Sequence, residues 1–305
     1  MKKLFKIMVL PVLLCSILLG CSPAEKKSQI VATTLPVYCF TRDLCEGTSL
    51  QVSQLVNEPV SCLHNYTLQV SQMRTVESAQ ILVMNGAGFE GFLHDVITTK
   101  ENVIDASAHL ELDCSQHHHH NHMDSEDSQE SHSEHNGHNH SYDAHIWMSP
   151  QNAMVMVKNI SNGLQVHFPD VKASIQENEQ KLLDKLSALQ EYGEAQLAEL
   201  RSRDLITFHD GFHYFAKSFH LNVLKAIEEE PGSETSAAEL KDLISFVRSS
   251  GLPAIFTEEN GSTASADVIA SETGCKVYKL NMIMYGTDYF SAMYQNIDTI
   301  KEALG

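Results

Sequence analysis

Seventeen histidines stand in a chain of 305 residues, and nine of them fall between His117 and His140. Neutral imidazole is a borderline-soft donor for zinc, nickel or copper, and closely spaced copies can trap such ions transiently. A tract of this kind must be ordered before it can hold an ion firmly, so its binding is expected to be weak and secondary. Three histidines outside the tract occupy positions with more chemical meaning. His209 follows the apolar run Asp204 to Phe208, and the carboxyl end of a parallel strand faces the ligand crevice of an open α/β sheet. Asp210, next in sequence, is expected to orient an imidazole nitrogen. His64 lies in a loop after the apolar segment Val52 to Val56, and His145 sits in Asp143-Ala144-His145-Ile146-Trp147, directly after the tract. The cysteines offer no comparable chemistry. No CxxC spacing occurs, which leaves a thiolate zinc site or thioredoxin-like motif unsupported. Cys39, Cys45, Cys62, Cys114 and Cys275 read as small buried apolar residues.

The elements that must position these histidines alternate between short β-rich runs and amphipathic stretches, the pattern of crossover units and a parallel sheet. Ile30 to Thr33, Ile81 to Met84, Leu205 to Phe208, Ala254 to Thr257 and Lys276 to Leu280 are the expected strands. Gly211 to Phe219 reads as a helix. Ser236 and Glu239 have capping-box spacing ahead of Leu240, Leu243, Ile244 and Val247, with Gly251 as the stop. Two segments divide the chain. Residues 113–141 carry nine histidines, six acids, no lysine or arginine and almost nothing apolar, which reads as a disordered loop. From Val171 to Leu200, apolar residues recur at helical spacing after Pro169 and Asp170, giving an expected helix of about 45 Å that spans two domains as a rigid backbone. The expected fold class is α/β: two similar lobes, each a mainly parallel sheet flanked by helices, joined by that helix. The boundaries are 30–168 for the first lobe, 169–201 for the helix and 202–305 for the second lobe.

Lys2, Lys3 and Lys6 precede an apolar run from Ile7 to Leu19, too short for a membrane span and shaped as an export signal over residues 1–20. It closes on Leu18-Leu19-Gly20-Cys21, which resembles the bacterial lipoprotein signal; Cys21 is then the lipidated mature N-terminus and residues 21–29 a tether. The composition, 43% apolar and 20% charged, is that of a globular chain. Loss of the three leader lysines moves the formal charge from −18 to −21. A surface this acidic repels phosphate backbones, so nucleic acid is not an expected partner and cations are.

Several blocks together resemble the metal-specific solute-binding lipoproteins of bacterial ABC importers, the zinc and manganese group (ZnuA- and TroA-like). Cys62 to Tyr66 and Asn85 to Leu93 look like the family's Pro-His-x-Tyr/Phe and NG-G-E-FL segments. Asp143 to Pro150 is similar to Asp-Pro-His-x-Trp-x-Asp-Pro, Phe208 to Phe215 to Phe-His-Asp-Ala-Phe/Tyr-x-Tyr-Phe, and Ala254 to Asn260 to the Ile-Phe-Thr-Glu strand. The resemblance implies that His64, His145 and His209 are metal ligands in a site between the lobes. It also implies that the ion is zinc, since histidine at the third position and a His-rich loop are usual in zinc members. An ABC permease with its ATPase is the implied partner, and the chain is expected to be a monomer on the extracytoplasmic side of a membrane. Leu63, Ala144 and Ser149 depart from the family pattern, and Leu280 to Met284 carries no acid where the family often places a carboxylate. Asn281 and Met284 stand in that region, and Met284 is a soft thioether suited to copper(I) rather than zinc. The fourth ligand stays open between water, Glu258, Glu259, His213 and a loop histidine. The alternatives to a zinc receptor are a nickel, copper or manganese receptor, a zinc-dependent hydrolytic enzyme, and a metal-storing adhesin.

Overall fold

The computed structural model describes residues 29–60, 63, 66–98, 100–113, 142–228, 236–259, 261–286 and 288–305. The leader, Cys21, His64, Cys62, Cys114 and the tract from His117 to His140 lie outside the described residues.

Two four-stranded parallel sheets form the frame. The first contains β1 (Ile30–Ala32), β2 (Val52–Gln54), β3 (Ile81–Met84) and β4 (Val103–Asp105) in the order β2-β1-β3-β4. Ile30 is in register with both Val52 and Ile81. β1 and β3 are buried at every residue, as central parallel strands covered on both faces must be. The second sheet contains β5 (Asp204–His209), β6 (Asn222–Glu228), β7 (Ala254–Glu258) and β8 (Lys276–Leu280) in the order β6-β5-β7-β8. The two orders are equivalent, and the expected pair of similar lobes is what the chain forms. The strand runs at Ile81 and Lys276 have the expected bounds; β2, β4 and β6 add strands that the sequence reading did not assign.

Helices cover the sheets: α1 (Leu35–Leu44), α2 (Val70–Ser78) and the short α3 (His94–Ile97) in the first lobe, and α6 (His213–Ser218), α7 (Ala237–Ser250), α8 (Ala264–Thr273) and α9 (Tyr289–Leu304) in the second. α7 starts on the expected capping box, with Ser236 Oγ accepting from the Glu239 amide (3.3 Å) and Glu239 Oε2 accepting from the Ser236 amide (2.8 Å). It stops at Gly251, whose φ of +65° is the left-handed value glycine adopts without strain.

Between the lobes run α4 (Pro150–His167) and α5 (Lys172–Gln196). α4 begins with Pro150 in its first turn behind Ser149, whose Oγ accepts from the Asn152 amide, and buries Ala153, Met156, Val157, Ile160 and Leu164 at spacings of three and four. The long helix expected from Val171 is α5; a 3-10 turn over Pro169–Val171 precedes it. At about 1.5 Å per residue its 25 residues reach about 37 Å. It does touch both lobes: Asn178 donates to the carbonyls of Leu44 and Glu46, and Gln190 to the carbonyl of Ser218.

One hydrophobic core runs from β1 and β3 through α4 and α5 to α9, so the lobes share an interior. A second, smaller core packs the outer face of the second sheet against α7 and α8. Strand alternation divides residues between the two: Ile206, Phe208 and Ile255 enter the outer core, while Leu205, Ala254 and Phe256 enter the shared one. Cys39, Cys45 and Cys275 are free and buried as expected, and burial pushes the Cys39 thiol up to about 11 and Cys45 up to about 12, which leaves both unreactive.

Candidate metal centre

Each sheet order reverses direction once, between β1 and β3 and again between β5 and β7, and such switch points open a crevice at the strands' carboxyl ends. His209 ends β5 and Glu258 ends β7. By alternation His209 shares its face with Leu205, and Glu258 with Ala254 and Phe256, so both side chains turn to the interior between the lobes. His209 is 3% exposed and Glu258 7%. Glu259 falls on the opposite face, exposed, where it accepts from Asn281 Nδ2 at 2.6 Å.

His145 meets His209 from the first lobe. Their Nε2 atoms face each other at 3.1 Å with the rings 84° apart. Asp143 holds His145 from behind: its Oδ1 accepts from the backbone amide at 2.9 Å and contacts Nδ1 at 2.8 Å. Glu258 Oε1 stands 3.4 Å from Nδ1 of His209. A carboxylate on each Nδ1 favours the proton there and leaves Nε2 with its lone pair. Two lone pairs directed at one another at this distance require a shared proton or a cation between them. The expectation for Asp210 is corrected by the structure. It follows β5 and accepts from His213 Nε2 at 2.6 Å, and the carboxylate beside His209 Nδ1 is that of Glu258. Burial pushes the Asp210 carboxyl up, but the bond from His213 and the charges of His213, His145 and His209 together outweigh it and hold the group below its ordinary value; the same bond raises His213. His213 thus spends its Nε2 on Asp210.

The loop carrying His145 is fixed by both lobes. Asn85, directly after β3, donates from Nδ2 to the carbonyl of Ala144 at 3.0 Å. Trp147 donates its indole N–H to the carbonyl of Met282 at 3.0 Å, and the Tyr289 hydroxyl donates to the carbonyl of Trp147 at 2.8 Å. Phe89 packs edge-on against His145 and Trp147. Beneath Asn85 lies Glu90, 3% exposed, whose carboxylate accepts from Thr33 Oγ1 and the Asn85 amide at 2.6 Å each and from the Gly86 amide at 3.0 Å. Burial pushes the Glu90 carboxyl up to about 7 against these bonds, which lower it. Gly86 must be glycine: its φ is +81°, and a Cβ would strike Asp105 Oδ1.

Among the described residues no three His, Cys, Asp or Glu side chains complete a metal-holding group. Of the three expected ligands, His145 and His209 are among the described residues, and the fold brings them together. Leu63, next to His64 in sequence, is 1% exposed. The sequence reading missed Glu90 and the orienting role of Asp143. The signal for Asp143 was its spacing two residues before His145, which lets one carboxylate reach both the backbone amide and the ring.

The two-lobed α/β fold thus places an oriented imidazole pair where its two switch points meet. The chain belongs to the ZnuA family, whose profile, described as zinc-uptake complex component A, periplasmic, matches residues 30–303. It is 28% identical over 294 residues to the zinc-binding protein AdcA of Streptococcus pyogenes, covering 91% of this chain and 56% of that protein. The chain therefore spans little more than half the length of that relative. It is also 28% identical over 291 residues to the high-affinity zinc uptake system protein ZnuA of Bacillus subtilis, covering 91% of this chain and 88% of that one. Among solved structures, a crystal structure of ZnuA matches with a TM-score of 0.76 at 26% identity, over 90% of this chain and 98% of the other. Zinc-bound AdcA from Streptococcus pneumoniae matches with a TM-score of 0.75 at 25% identity, over 91% of this chain and 58% of that one.

Proposed function

We propose that the chain is an extracytoplasmic zinc receptor that binds one ion through His64, His145 and His209, with water as the fourth ligand, and delivers it to an ABC import permease powered by its ATPase. In this reading Cys21 carries the lipid anchor, the mature chain acts as a monomer, and it is a receptor rather than an enzyme. The observation that carries the reading is the 3.1 Å separation of the two Nε2 atoms. Zinc held by two imidazoles at about 2.0–2.1 Å with a tetrahedral angle sets their nitrogens about 3.3–3.4 Å apart, so the pair at 3.1 Å needs to open by only a few tenths of an ångström to form two neighbouring vertices of a zinc shell. Glu258, beside Nδ1 of His209, is on the ring edge that diverges from Nε2 and acts as an orienter rather than the fourth ligand. The names of AdcA and ZnuA support zinc as the cargo.

Chelator competition on the apo chain and on His64→Ala, His145→Ala and His209→Ala tests the ligand set. Each variant should lose far more than the roughly 10–100-fold typical of changes behind the ligands. Wild-type affinity in any one of them removes that residue from the site.

A further inference from the structure

Gly211 has no left-handed φ, so glycine is not there for backbone freedom. It is there for space. A Cβ at this position would stand 2.4 Å from Met282 Cε, 2.8 Å from His209 Cδ2 and 3.1 Å from His145 Cδ2. The Met282 methyl and the edges of both imidazoles therefore crowd the position a Cβ would take and leave no room for one. Cδ2 is bonded to Nε2, so the ring edges at that position are the ones that carry the metal-directed nitrogens. Met282 is 4% exposed.

The backbone holds Met282 there under strain. Ile283, which follows it and is fully buried, has φ +62°, a conformation a β-branched residue adopts only when its surroundings dictate it. A polar clasp does so. The Asn281 amide donates to Asn296 Oδ1 (2.7 Å), Asn296 Nδ2 donates to the Asn281 carbonyl (2.8 Å), and the Ile283 amide donates to Asn281 Oδ1 (2.6 Å). The Met282 carbonyl takes the Trp147 indole N–H. The thioether arm is thus mounted on a fixed support against the imidazole pair.

We propose that Met282 is a specificity-determining residue of the site, an apolar wall that denies an oxygen ligand or additional waters access to the ion on that side. Zinc is satisfied by four ligands in a tetrahedron, whereas manganese and similar hard ions require oxygen donors and an octahedral shell. The wall therefore favours zinc by withholding what the competitor needs. The proposal rests on the reading that His145 and His209 hold the metal.

The test measures dissociation constants for zinc alone and manganese alone on the full mature chain, wild type against Met282→Glu, Met282→Ala and Met282→Leu, with melting of each apo protein as the folding control. Met282→Glu offers a carboxylate and Met282→Ala admits water, and each should lower the zinc-over-manganese ratio by about tenfold or more, equivalent to ~1.4 kcal/mol. Met282→Leu refills the space with an apolar chain and should restore the preference that Met282→Ala lowers. An unchanged ratio in Met282→Ala overturns the proposal even if the glutamate variant fails to fold. A zinc affinity lost in Met282→Leu as in Met282→Ala also overturns it, because sulfur is then a ligand and not a wall. Failure of the underlying site shows separately, as wild-type zinc affinity in His145→Ala.

Discussion

Glu90→Gln is the substitution whose effect follows most directly from the buried polar network at the first switch point. The glutamate accepts three hydrogen bonds, from Thr33, Asn85 and Gly86, and each favours its charged form. Burial opposes them and is the larger effect, moving the carboxyl from 4.5 to about 7, with the nearby Asp105 charge acting in the same direction. The folded state therefore keeps a proton that the unfolded chain has already lost. Stability from this group is complete below about pH 4.5 and is lost as the pH rises through about 7. At ~1.4 kcal/mol per pH unit the interval corresponds to ~3 kcal/mol as an order of magnitude. Glutamine has the shape of the protonated acid and does not titrate, so the difference between variant and wild type isolates the charge. Urea unfolding of the chelator-treated proteins at several pH values from about 4.5 to about 8 should show the variant gaining on wild type by up to ~3 kcal/mol across that range. A difference that stays flat refutes the elevated carboxyl. One that reverses sign shows that the three donors outweigh burial.

Asp143→Asn keeps the shape of the residue behind His145 but replaces its carboxylate, and chelator competition should show zinc binding weakened by about 10–100-fold with the apo melting temperature little changed. Gly193→Ala adds a methyl on α5 that would lie 2.2 Å from Cε1 of Phe219, a buried ring packed edge-to-face against Phe215. The overpacking cost of about 1–3 kcal/mol exceeds the ~1 kcal/mol gained in helix propensity, so thermal melting should fall, and Phe219→Leu in the same chain should recover part of the loss.

The sequence made the fold legible where a local rule settles the answer. β3 is apolar at each residue because both its faces are covered, and α7 carries its start and stop signals within its own span. α4 was as legible as these, with Pro150 in the first turn and apolar residues at spacings of three and four, but it stands between the His-rich tract and the longer helix and was absorbed into the first lobe. β2 and β4 are three residues each, too short for alternation to register. β6 lacks a clean alternation because its register against β5 skips Leu224, passing from Val223 to Lys225.

The site divides along the same line. That one of Glu258 and Glu259 would turn inward followed from strand alternation, and the inward one is Glu258. Which imidazole it would face did not follow, because Asp210 is adjacent to His209 in sequence while Glu258 is adjacent only once β7 lies beside β5. The same holds more strongly for Met282. The sequence reading weighed Asn281 and Met284 in that region rather than Met282, and nothing local links Met282 to Gly211, the residue that makes room for it. The two become one feature only in three dimensions, where the glycine vacates the volume into which the methionine's methyl fits beside both rings. The proposed donors are histidines at strand ends or loops, and their residue type singles them out in the sequence. What selects among ions is the shape of the space between the donors, and that shape is assembled from His145, His209, Gly211 and Met282, whose neighbourhood exists only after both lobes have folded against α4 and α5.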